Sequence, residues 1–280
     1  MKQKRILCIN DISSMGKCSL SVALPVISSL GIEAVVLPTA LLSAHTVFEG
    51  YTFSDQTEEM KKILNHFDSM GEKFDCIYTG YLGSVKQVDI VSDFIDNHPE
   101  SIIITDPVMG DNGKLYSGFG CDYPSVVEKL CKKSDIILPN LTEACLLTNT
   151  PYIAKNIGSD YLAKVMDRLS KISKKSVVTG VKEGKDVSVY IGEGKGKYCL
   201  SSKSPLIDRQ FHGTGDTFAS AFAGFFTLGL SLEQSAKKAT EFTQMCIEHT
   251  NNDKDSQWYG LRFEECLHHL YDMKRDASNN

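Results

Sequence analysis

The sequence has no C-x-x-C pair, no run near the roughly 18 apolar residues that a membrane span needs, and no excess of positive charge. Each absence removes a class of function. The nine cysteines (Cys8, Cys18, Cys76, Cys121, Cys131, Cys145, Cys199, Cys246 and Cys266) are odd in number and unpaired in spacing, so they read as reduced core residues rather than a disulfide framework or a zinc site. With a net charge of -5 and scattered basic residues, the chain lacks the electrostatic footprint that nucleic-acid phosphates demand; neither nucleic acid nor an anionic membrane is an expected partner. The start, Met1-Lys2-Gln3-Lys4-Arg5, is basic, but the apolar run behind it stops at Asn10-Asp11, too soon for a signal-peptide core. A cytoplasmic location is expected. The histidines show no metal spacing, since His268 and His269 are adjacent and leave a helix on different sides. Nor is there a P-loop. Met15-Gly16-Lys17-Cys18-Ser19 resembles the end of one, but Asp11 occupies the position of the required first glycine and Cys18 that of the metal-binding hydroxyl.

What is present is an ordinary globular composition, with 42% apolar and 23% charged residues over 280 positions, enough chain to bury a large core. Short, nearly all-apolar runs recur at Ile6 to Ile9, Ala34 to Leu37, Cys76 to Thr79, Ile102 to Thr105, Ile136 to Leu138 and Val177 to Thr179, each followed by a stretch of helical length. Such runs suit strands buried on both faces of a parallel sheet, so the expected fold class is α/β, a mostly parallel central sheet with helices on both faces. Val187 to Ile191 and Lys197 to Leu200, separated by Gly192 to Gly196, predict an antiparallel hairpin at the sheet edge. The last third reads as helical, with an apolar helix over Thr217 to Gly229 and a capping box at Ser231-Leu232-Glu233-Gln234. No repeat or linker interrupts the chain, which predicts one domain over 1–275 and a frayed tail over 276–280.

Three segments are able to carry chemistry. In His212-Gly213-Thr214-Gly215-Asp216-Thr217, two glycines precede an apolar helix. They allow the chain to turn sharply and present consecutive N–H groups to an anion, while Asp216 is either a general base beside that anion or a helix cap. In Leu138-Pro139-Asn140-Leu141-Thr142-Glu143, Asn140 and Glu143 share a helix face and form either a hydrated-metal site or an N-cap with its capping box. Asp106-Pro107-Val108-Met109-Gly110-Asp111-Asn112-Gly113 places two carboxylates after a strand, where open α/β sheets bind ligands, in what is equally a good turn sequence.

Taken in order, a polar segment after the first strand, His45-Thr46, Gly80-Tyr81-Leu82-Gly83, Asp106 to Asp111, Asn140 to Glu143, Val178-Thr179-Gly180 and Gly213 to Asp216 resemble the vitamin B6 kinase branch of the ribokinase-like superfamily, from Ile6 to about residue 250. The resemblance implies phosphoryl transfer from Mg-ATP to the 5′-hydroxyl of pyridoxal, pyridoxamine or pyridoxine. By similarity, Asp216 would be the base, and Gly213, Thr214 and Gly215 would line the anion hole. Asp111, Asn140, Glu143 and Thr179 would serve ATP, and Asp106 and Glu143 would hold Mg²⁺ through water. Asp11, His45, Thr46 and Tyr81 would meet the substrate. A monovalent cation such as K⁺ and a homodimer are family expectations.

One departure stands at Asn10-Asp11-Ile12-Ser13-Ser14, where pyridoxal kinases often carry Ser-His; an Asp there is similar to hydroxymethylpyrimidine kinases. Those enzymes are therefore the alternative, and a catalytically inactive ligand-binding homologue is a further one. Asp11 would favour a protonated ring nitrogen or an amino substituent, which tilts the expected preference toward pyridoxamine.

Overall fold

The computed structural model describes residues 2–155 and 157–278, the side chains of 276–278 excepted. Its first strand, β1 (Arg5–Met15), is buried through both faces because its side chains alternate between two cores. Ile6 and Cys8 enter one with helix α1 (Leu20–Ser29) and the helices late in the chain; Leu7 and Ile9 enter the other. Complete burial of each such side chain contributes about 1.5–3 kcal/mol, which is why the strand needs apolar residues on both sides.

The expected polar loop after Ile9 is instead strand. β2 (Glu33–Ala44) runs parallel to β1 as far as the Met15–Ala44 pairing, with a register shift between Asn10 and Ile12. The sequence looked loop-like because its side chains are polar, yet its backbone groups are bonded to β2, and the irregularity re-aims Asn10 and Asp11. A short antiparallel strand, β3 (Phe53–Asp55), extends this edge before α2 (Thr57–Ser69).

Next come β4 (Cys76–Thr79), α3 (Val85–Asp96) and β5 (Ile102–Thr105), then a small hairpin, β6 (Gly110–Asp111) with β7 (Lys114–Leu115). They lead through α4 (Tyr123–Lys133), β8 (Ile136–Ile137), α5 (Leu141–Leu147) and α6 (Ser159–Leu169) to β9 (Lys175–Glu183), β10 (Asp186–Glu193) and β11 (Tyr198–Pro205). The nine-stranded sheet has the order β11-β10-β9-β8-β5-β4-β1-β2-β3. The edge hairpin lies where the Gly-rich segment predicts it, as β10 and β11, and β9 pairs antiparallel with β10 as well.

Helix α7 (Thr214–Thr227) begins three residues before the expected Thr217, which brings Asp216 into its first turn. The small side of α7 lies on α1: a Cβ at Gly224 would come within 2.3 Å of the Leu30 side chain. The capping box of Ser231 and Gln234 opens α8 (Leu232–Asn252). The last helix, α9 (Leu267–Ser278), takes residues 276–278 of the expected tail into regular structure; Asn279 and Asn280 lie outside the described residues. All nine cysteines are free, and Cys121 and Cys199 are exposed rather than in the core. No helix among the described residues is long and apolar enough to cross a membrane.

Candidate active site

The carboxyl ends of β1, β4 and β5 meet the amino ends of α1, α5 and α7, and Asn10 organises the centre. It is 1% exposed, and its Oδ1 accepts the backbone N–H groups of Asp11 (3.0 Å) and Tyr81 (2.8 Å). Its amide group faces the Asp216 carboxylate. The first glycine of Gly80-Tyr81-Leu82-Gly83 follows from this approach, because a Cβ at Gly80 would lie 2.3 Å from Asn10 Nδ2. Sequence reasoning placed Asn10 in a loop and gave it no role; its one available signal was an amide directly after a strand of four apolar residues.

Gly213 caps α7 in the left-handed conformation, φ 76°, with its Cα position against the Lys17 carbonyl. Gly215 is exposed, and a Cβ built on it would meet nothing within 4 Å, so this side of the helix start is open; first-turn amides have no partner inside the helix. The N-cap is Gly213, and Asp216 is the third residue of the helix; its carboxylate lies near Asn10, Asp11, the Ser19 amide and its own first-turn amide. Burial, with the nearby Asp11 charge second, pushes its pKa up to about 6.

For Asn140 and Glu143 the capping reading is realised in full. Asn140 Oδ1 accepts from Glu143 N (2.9 Å), and the Glu143 carboxylate accepts from Asn140 N (2.8 Å) and Met109 N (3.1 Å). Asn140 Nδ2 also donates to the Gly110 carbonyl, which ties α5 to the β6–β7 hairpin, and Asn140 bridges to Thr179 on β9. That hairpin turns at Asn112 (φ 51°) and Gly113 (φ 78°), the left-handed pair that a two-residue connection requires. Asp111 is exposed, and its oxygens accept from Asn112 at 2.8 Å.

The carboxylates of Asp11, Asp216, Asp106 and Glu143, of which Asp216 is half-buried, form a chain in which each raises the next. Burial is the larger cause throughout; the second is Asp11 for Asp216, Asp216 for Asp106, and Asp106 for Glu143. No group of three or more His, Cys, Asp or Glu among the described residues is arranged to hold a metal directly. The partly exposed Tyr116 was missed from the sequence. Burial and the charges of Glu143, Asp111, Asp216 and Asp106, in that order, push its phenol up, so it lies within the field of these carboxylates.

On the other side of Asp11, Tyr81 is half-buried, 5.8 Å from the Phe119 ring, which itself stacks on Tyr123 at 3.9 Å. Phe119 and Tyr123 follow the hairpin by too many residues for local spacing to reveal them. His45 packs 5.2 Å from His212, the residue before the glycine turn. Burial, aided by His212, pushes His45 down to about 4, and burial lowers His212 too, so His45 is neutral at neutral pH. Thr46 is exposed beside His45. The segment rejected as a P-loop still shapes the site: Lys17 backs Gly213, Gly16 touches His45, and Ser19 faces Asp216.

The solved structure of a phosphomethylpyrimidine kinase-like protein from Bacteroides thetaiotaomicron, crystallised with pyridoxal, is 38% identical and covers 96% of each chain at a TM-score of 0.89. Pyridoxal kinase from Lactobacillus plantarum is 28% identical over 99% of each chain, also at a TM-score of 0.89. Hydroxymethylpyrimidine/phosphomethylpyrimidine kinase from Haemophilus influenzae is 25% identical over 89% of this chain and 93% of its own length. Against two curated pyridoxal kinase-like relatives, the match spans only 56% of their length. The phosphomethylpyrimidine kinase family model matches residues 23–258, from within α1 to beyond α8, and the chain belongs to that family.

Proposed function

We propose that this chain is an ATP-dependent kinase that phosphorylates the 5′-hydroxyl of a vitamin B6 compound, with Asp216 as the general base. The observation that carries the reading is the Asp216 carboxylate itself. It stands in the first turn of α7 and accepts the Ser19 amide at the start of α1, with a pKa of about 6. A carboxylate of that basicity is mostly ionised at neutral pH, yet basic enough to take the proton of an attacking alcohol. The 38% identical relative crystallised with pyridoxal supports the substrate class.

The hydroxyl oxygen would form a bond to the γ-phosphorus as the bond from that phosphorus to the β–γ bridging oxygen breaks, and its proton would pass to Asp216. The amides at Gly213, Thr214 and Gly215 would stabilise charge on the phosphoryl oxygens, while Asp111, Asn140, Glu143 and Thr179 would serve ATP. Asp11, His45, Thr46 and Tyr81 would hold the acceptor, with the Tyr81 and Phe119 rings as an apolar wall. Magnesium fits the donor set, because Asp106 and Glu143 are buried carboxylates, the Asp106 charge raises Glu143 as Asp216 raises Asp106, and a divalent cation would relieve that repulsion. They would hold it through water, and it would supply charge neutralisation at the phosphates.

The second reading, a hydroxymethylpyrimidine kinase, is favoured by Asp11 and by the Haemophilus influenzae relative. A panel of pyridoxal, pyridoxamine, pyridoxine and hydroxymethylpyrimidine with Mg-ATP separates the two. Phosphorylation of the pyrimidine and of no B6 compound at millimolar concentration would replace the first reading by the second. Asp11→Ser should change the relative kcat/KM among the three B6 compounds, with pyridoxamine losing most. Unchanged ratios would remove Asp11 from substrate selection.

A further inference from the structure

Ser19 stands at φ 52°, ψ -131°, a backbone conformation that glycine adopts readily and serine does not. Asn112 and Asn149 also have positive φ, but asparagine is at home there. Ser19 is 7% exposed and is the N-cap of α1, yet its hydroxyl makes no cap. It donates instead to Asp11 Oδ1 at 2.5 Å, while its backbone N–H faces the Asp216 carboxylate. Ser13 Oγ approaches the other Asp11 oxygen at 3.5 Å.

We propose that Ser19 is a positioning residue that joins Asp11 to the base Asp216, and that its strained turn is kept for the hydroxyl. Glycine would make the same turn without strain and offer the same N–H, but it would leave Asp11 without its closest donor. The inference rests on reading Asp216 as the base of a kinase. The hydroxyl favours the charged form of Asp11, and the Asp11 charge in turn keeps Asp216 basic. Asp216 is also faced by Asp106 from the end of β5, Tyr78 from β4, Cys18 from the turn before α1 and Tyr116 from beyond the hairpin; Asp11 is faced by Tyr81 and Cys18.

The test uses Ser19→Gly and Ser19→Ala in the full chain. It reads carboxyl ¹³C titrations, assigned with Asp11→Asn and Asp216→Asn, together with thermal midpoints and the pH dependence of kcat/KM. In both variants the Asp11 midpoint should rise and the Asp216 midpoint fall, each by about 0.5–1 pH unit for the loss of one hydrogen bond. The acid limb of kcat/KM should move down with Asp216. Ser19→Gly should melt no lower than the parent and above Ser19→Ala, which keeps the strain and loses the hydroxyl. Parental titration midpoints in Ser19→Gly would overturn the inference. If Asp216→Asn kept full turnover, the base assignment would fail, but the carboxyl titrations would still decide whether Ser19 couples the two aspartates.

Discussion

The Lys17 carbonyl closes on Gly213 so tightly that a Cβ at position 213 would lie 1.9 Å from its oxygen. The glycine is needed twice over, since its φ of 76° also lies in the left-handed region. Gly213→Ala should therefore push the loop before α7 off the turn before α1 and open the amide cradle. We expect kcat to fall by about 10²–10³, the scale for losing an oxyanion donor, and stability to drop by about 1–3 kcal/mol from backbone strain. Steady-state kinetics and thermal denaturation measure both, and a parental kcat would remove the cradle from catalysis.

Asp216 must be ionised to accept a proton, so kcat/KM should rise with pH through about 6. Asp11→Asn removes a neighbouring negative charge, and the acid limb should then move to lower pH. Asp216→Asn should cut kcat by at least about 10²-fold while calorimetry finds nucleotide affinity close to parental. A limb that stays near pH 6 in Asp216→Asn would assign it to another group.

Asn10→Ala would leave the buried N–H groups of Asp11 and Tyr81 without their acceptor. Each such orphan costs about 1–3 kcal/mol. The variant should lose stability by about 2–6 kcal/mol for the two together and turn over more slowly, because Asp216 also loses the Asn10 amide. Denaturant titration tests the first part; an undiminished midpoint would mean that water replaces the side chain.

The pKa values of Asp106, Glu143 and Asp216 are raised in the native state, which therefore binds protons that the unfolded chain has released. Their contribution to stability is full below the unfolded carboxylate range near 4 and falls as pH rises; for Asp216 it is lost through about 6. At pH 8, ligand-free Asp106→Asn should melt about 2–4 °C higher or more, yet be catalytically impaired. Magnesium should stabilise the parent more at pH 8 than at pH 6. A lower melting point for Asp106→Asn at pH 8 would mean that its charge is already compensated in the fold.

The apolar runs at Ile6 to Ile9, Cys76 to Thr79 and Ile102 to Thr105 were legible as strands because burial on both faces leaves only one kind of residue to choose from. The glycines of Gly213-Thr214-Gly215 and the Ser231–Gln234 capping box were legible for a similar reason, since local backbone geometry dictates residue type within a few positions. The sequence by itself thus determined the alternating βα order, the edge hairpin and a glycine-marked helix start near Asp216, while the inclusion of Asp216 in the first turn came from the structure. It could not decide what Asp216 touches. Only the tertiary structure brings Asn10, Asp11 and Ser19 to Asp216, because residues 20–215 lie between them in the sequence and they meet through the packing of α1 on α7. Side-chain charge is likewise a property of that meeting: burial and the neighbouring Asp11, invisible in local spacing, turn an ordinary carboxylate into one that titrates at about 6.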